Sequence, residues 1–276
     1  MTNHYGPISR EDYEEPRCVL CMDQDAPTPI PQRRIREKLD EYMSRRDYAG
    51  AERHLAYWLA EAQQNRDLRG EFFVRNEMMG HYRKVGNRDQ AILNANESLN
   101  LIEKLGFENT LSAGTAYVNA ATVYDAFGLP ERSVELFEKA KGIYERNLPE
   151  TDGRLGGLYN NMGLAYMALG RFGEAYESFL KALDVMGKVE HGALEQAITY
   201  LNLANAVELE HGLEKGEKKI EQYLEKAAAL LDDGTLPRDG YYAFVCEKCA
   251  PTFDYYGWFL MADDLKERAK AIYERA

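Results

Sequence analysis

Apolar residues in the middle of the chain recur at steps of three and four. Tyr159, Met162, Tyr166 and Leu169 form one such run, and Ala175, Phe179, Ala182 and Met186 form a second. A 3.6-residue period places each run on one face of a helix, with polar residues on the other. Gly170 separates the two runs. Glycine accepts the left-handed backbone that ends a helix, so the pattern predicts a helix, a tight corner and a second helix folding back.

The unit repeats. Gly86, Gly128, Gly170 and Gly212 follow one another at steps of 42 residues. Tyr82, Tyr124 and Tyr166 stand four residues before the first three glycines, and the small residues Ala91, Ser133 and Ala175 stand five after them. Ser98, Ala140 and Ala182 keep the same step, as do Leu101, Ile143 and Val185. Small side chains let two helices approach closely while an aromatic such as Phe137 or Phe179 fills the neighbouring space. One hairpin cannot bury both its faces, so consecutive units must stack into a continuous core.

Residues 159 to 182 carry Tyr159, Met162, Gly163, Tyr166, Gly170, Ala175, Phe179 and Ala182 at spacings that resemble the tetratricopeptide repeat. The 42-residue period, Asn160-Asn161 in the first helix and the Leu148-Pro149-Glu150 connection are similar to the long-helix repeats of kinesin light chains. The resemblance implies an all-α fold, a right-handed superhelical solenoid of antiparallel helical hairpins. In that fold the first (A) helix of each hairpin lines a concave groove.

From Ile30 to its end the chain has room for about six such units. Tyr42 with Ala51, Leu55 and Trp58 marks an early hairpin. Ile220, Leu224 and Ala227 mark a fifth, with about three residues inserted after Gly212. A sixth would pair residues 241–260 with 263–276. Residues 30–276 are therefore expected to form one solenoid domain. Residues 1–29 hold Pro7, Pro16, Pro27 and Pro29 among charges and read as an extended or disordered arm.

The formal charge of −12 disfavours nucleic acid and anionic membranes at long range and favours a neutral or basic partner. No stretch has the ~18 uninterrupted apolar residues of a membrane helix. The polar start lacks the apolar core of a secretory signal, which predicts a cytoplasmic location. No phosphate-binding glycine loop, zinc-protease helix or nucleophile elbow is present, and His4, His54, His81, His191 and His211 are scattered. The expectation is a non-catalytic scaffold or adaptor that holds a protein or an extended peptide. A peptide-responsive regulatory sensor is the alternative.

The resemblance places Asn119 and Asn161, one period apart, where the A helix faces the groove. Asn202 continues the row after a one-residue shift, and Asn76 is one place off, beside Glu77. Asparagine offers two donors and an acceptor, so such a row can clamp a peptide backbone whatever its side chains. Where chaperone-tail receptors of this family carry a basic clamp, the chain mostly has Glu77, Thr115, Gly157 and Asp125. Arg83 and Lys84 are the basic pair near the groove edge.

Cys18/Cys21 and Cys246/Cys249 each have the two-residue gap of zinc ribbons and redox motifs. Residues 21–30, extended, span about 30 Å. An arm of that reach allows two readings: a shared four-cysteine zinc site with the arm lying in the groove, or Cys249 packed as a small apolar core residue. Residues 239–259 concentrate aromatics around Pro251, which interrupts helical hydrogen bonding. They are expected to cap the core, or to offer a surface for self-association.

Overall fold

The computed structural model describes residues 28–275. Residues 1–27, including Cys18 and Cys21, lie outside the described part. Among the described residues all regular structure is helical. The helices are α1 (Gln32–Ser44), α2 (Tyr48–Gln64), α3 (Leu68–Lys84), α4 (Arg88–Leu105), α5 (Leu111–Ala126) and α6 (Pro130–Asn147). Then come α7 (Gly153–Ala168), α8 (Phe172–Met186), α9 (Ala193–His211), α10 (Leu213–Leu231), α11 (Gly240–Tyr255) and α12 (Phe259–Tyr273). Taken in order they make six antiparallel hairpins, as the period predicts.

The chain packs as two compact units, Met1–Val74 and Arg75–Ala276. In the first, α1 lies against α2 with Ile35, Leu39, Ala51 and Leu55 buried. Asp67 does two jobs there. One carboxylate oxygen accepts the Gly70 amide at the start of α3, and the other accepts the Ile30 amide at 2.8 Å. The corner between α1 and α2 is held by Arg46 at φ 56°, a left-handed position that glycine occupies elsewhere in the chain.

In the second unit the A helices are α5, α7, α9 and α11, and the B helices are α6, α8, α10 and α12. Each A helix packs on its own B helix and, through α9, on the B helix before it. Gly86, Gly128, Gly170 and Gly212 form the corners, with φ between 69° and 79°. An L-residue is disfavoured in that backbone region by roughly 1–2 kcal/mol, which explains their 42-residue recurrence. Side chains set the helix starts: Asn87, Thr110 and Asp152 each accept an amide in the first turn, and Pro130 opens α6.

The core follows the repeat. Ala91, Ala140, Ala175 and Ala182 are fully buried, with Phe137 and Phe179 between them. Ser133 is tolerated in the same close-approach register because its hydroxyl donates to the Ala121 carbonyl. Gly163 is required by contact: a Cβ there would stand 2.4 Å from the buried Phe179 ring. Tyrosine hydroxyls tie consecutive hairpins on the same step. Tyr124 donates to Asn96, and Tyr166, one period later, donates to Glu138, with both acceptors on the preceding B helix.

Two expectations for the last hairpin are corrected. Its first helix ends at Tyr255 and its second begins at Phe259, because Gly257 at φ 82° makes the corner. Pro251 does not interrupt α11. The buried residues Cys246, Cys249, Ala250 and Phe253 anchor both turns around it, so packing overrides one missing amide. The aromatic cluster divides: Tyr242 and Phe253 are fully buried, whereas Tyr241, Phe244, Tyr255 and Phe259 are exposed.

Candidate functional site: the A-helix face

The A helices of the second unit pack in series, α5 on α7, α7 on α9 and α9 on α11. Their core-facing sides are fixed by B helices, which leaves one stripe of each A helix half-exposed. On α5 that stripe holds Val118, Asn119, Thr122 and Asp125, and on α7 it holds Asn160, Asn161 and Leu164.

Two neighbouring registers on this stripe behave differently. Asn119 and Asn161 are half-buried, and neither side chain makes a hydrogen bond among the described residues. One period after Asn161 comes Leu203, which is fully buried. The asparagine of α9 belongs to the adjacent register: Asn202 lies 42 residues after Asn160, and its amide donates to Asn160 Oδ1 at 2.9 Å. Thr199 Oγ1 lies 3.1 Å from the same oxygen and 2.9 Å from the Glu195 carbonyl. Asn76 shares that second register, and its side chain donates to Ser98 of α4 at 2.9 Å.

The four asparagines singled out by pattern thus fall into two sets. Asn119 and Asn161 have no side-chain partner among the described residues, while Asn202 and Asn76 bond to neighbouring helices. Asn160 and Thr199, not singled out by pattern, complete an inter-helix ladder, and the 42-residue step from Asn160 to Asn202 is the signal that marks it. Arg83 and Lys84 are exposed in the last turn of α3.

Acidic groups accompany the amides. Burial raises the pKa of Asp125 on α5 and of Glu195 on α9, the latter opposed by Lys248. At the α11 end, Tyr241 donates to Glu195, and Tyr255 and Tyr256 both donate to Glu208. Tyr241 and Phe244 stack with ring centres 6.3 Å apart, and both are about half exposed. This end therefore offers aromatic faces beside carboxylates.

Cys246 and Cys249 are buried in the core shared by the last two hairpins. Burial pushes their thiols up to about 11 and about 12, so both are protonated and weakly nucleophilic near neutral pH. Among the described residues no group of three or more His, Cys, Asp or Glu side chains could hold a metal ion. No described helix is long and apolar enough to cross a membrane.

Residues 157–185, which span α7 and α8, match the tetratricopeptide repeat family. No curated protein is similar in sequence. Among solved structures, the chain is similar to the nearly identical TPR-like repeats of a Podosopora anserina protein assigned as a kinesin light chain. The identity is 18%, with 72% of this chain and 92% of that one covered and a TM-score of 0.52. It is also similar to MamA protein at 15% identity, covering 75% and 98% of the two chains, with a TM-score of 0.50. At these identities the likeness shows the fold alone: the chain is an all-α protein of stacked, tetratricopeptide-like helical hairpins.

Proposed function

We propose that the A-helix face of the second unit binds an extended segment of another protein, and that the chain is a non-catalytic scaffold. The observation that carries this reading is the pair Asn119 and Asn161. These two half-buried amides stand one period apart on adjacent A helices, with donors and acceptors that no described residue uses. An amide unsatisfied by its own fold is available to a peptide backbone, whose groups repeat along its length as the helices do.

Asp125 on the α5 stripe and Glu195 on α9, with the overall charge of −12, favour a neutral or basic segment. The exposed rings of Tyr241, Phe244 and Tyr255 extend this surface at its α11 end and would pack against apolar or cationic side chains.

The test compares Asn119→Ala/Asn161→Ala with wild type in a pull-down and in titration of the captured partner. The double variant is expected to keep its Tm and to lose about tenfold in affinity. A fall in Tm matching the loss of binding would instead make both residues structural. Asn202→Ala, which breaks the internal ladder, is the contrasting control and should lower Tm.

A further inference from the structure

A cavity of about 450 Å³ opens between α8 and α10. Leu203 and Val207 of α9 form its floor, and Tyr176 and Leu180 of α8 form one wall. Its origin lies in the sequence. Ala175 follows Gly170 by five residues, but its counterpart Ile220 follows Gly212 by eight. The insertion lengthens α10 to 19 residues against 15 in α8, about one added turn at its start. Lys215 and Gly216, in that turn, reach the cavity.

The chemistry of the cavity runs against that of the chain. In a protein of charge −12, its rim carries Lys215 and Lys219, four residues apart on one face of α10. Neither makes an ion pair among the described residues. Lys219 lies 5.4 Å above the Tyr223 ring, which closes the far side. Glu214, Glu217 and Glu221 of the same helix are not among the lining residues. His211 also lines the rim, with its ring near Glu210. The Tyr176 hydroxyl is buried, and burial together with the neighbouring Glu210 carboxylate raises its pKa. The site thus combines an apolar floor, a buried tyrosine hydroxyl and two lysines with no ion-pair partner among the described residues, in a volume that accepts one bulky side chain.

We propose that this cavity is a second docking site, taking an acidic peptide segment that presents one large apolar side chain. The anchor fills the space over Leu203 and Val207 between the Tyr176 and Tyr223 rings. Flanking carboxylates meet Lys215 and Lys219. The two sites would then take partners of opposite charge.

The test uses the full chain and a fluorescein-labelled peptide, Glu-Asp-Glu-Trp-Glu-Asp-Glu, read by anisotropy. Saturable binding is expected, about tenfold weaker when the peptide's Trp is Ala and about tenfold weaker for Lys215→Glu/Lys219→Glu. Lys266→Glu/Lys270→Glu on α12 changes the charge equally and should leave the affinity nearly unchanged. Asn119→Ala/Asn161→Ala should also leave it unchanged, which separates this site from the A-helix face. Equal binding of the Trp and Ala peptides, or equal loss from the α12 reversal, would reduce the effect to surface charge and overturn the proposal. Binding of 4-phenylbutyrate without the peptide would reassign the cavity to small acids. No saturation by about 1 mM peptide would remove the site.

Discussion

The fourth and fifth hairpins share one period and part at two positions. In α7 the tyrosine register holds Tyr166, whose hydroxyl reaches back to Glu138 of the preceding B helix. One period on, α9 holds Glu208 in its place, and the direction reverses: Glu208 accepts from Tyr255 and Tyr256 of the following A helix. The second difference is the inserted turn of α10, whose Lys215 and Gly216 line a cavity, whereas the fourth hairpin is held close by Phe179 against Gly163. The step fixes where helices turn. What each register contacts depends on the residue placed there.

The comparison breaks most readily at the ring that closes the fourth hairpin. Phe179→Ala is expected to cost about 3–5 kcal/mol by chemical denaturation, more than truncation of its fifth-hairpin counterpart in Leu224→Ala. Equal losses would mean that the two hairpins are packed alike. A finer probe is to add one methyl at each close approach. Gly163→Ala drives a Cβ into a fixed ring and should cost about 1–3 kcal/mol. Gly216→Ala meets Val207 Cγ1 at 2.8 Å and Ile220 Cδ1 at 3.1 Å, both movable and with the cavity beside them. Its gain in helix propensity of about 1 kcal/mol should leave Tm nearly unchanged. The smallest effect concerns the reversed junction. Glu208→Gln keeps the acceptor but removes its charge, and should cost about 1 kcal/mol, seen as faster amide exchange confined to α11 and α12. Faster exchange spread evenly over α5–α12 would show that Glu208 does not hold the last hairpin in particular.

The period was legible because it rests on backbone geometry that few residues satisfy: glycine at the corners, and small residues where helices meet. It fades in the first hairpin because Arg46 occupies the left-handed corner there, so no glycine marks it. The asparagines were legible as residues but not in their roles. A shift of one position along a helix turns a side chain by about 100°, enough to separate the open Asn161 from the bonded Asn160. Pro251 misled for a related reason: the loss of one hydrogen bond is local, while the burial that outweighs it comes from residues distant in sequence. The inserted turn was visible, but the space it opens depends on α8, some forty residues earlier, and on side chains too short to fill it.

The corner glycines carry one more consequence. At Gly86, Gly128 and Gly170 an added Cβ would meet nothing within 4 Å, so each A-to-B turn opens onto free space. Residues inserted at those three corners as a loop would extend into solvent without touching either helical face. Such an edge is where an ancestral repeat can gain new segments by small duplications while its recognition faces stay intact. It is also where a reporter or a tethering sequence could be grafted with the least disturbance to what the protein holds.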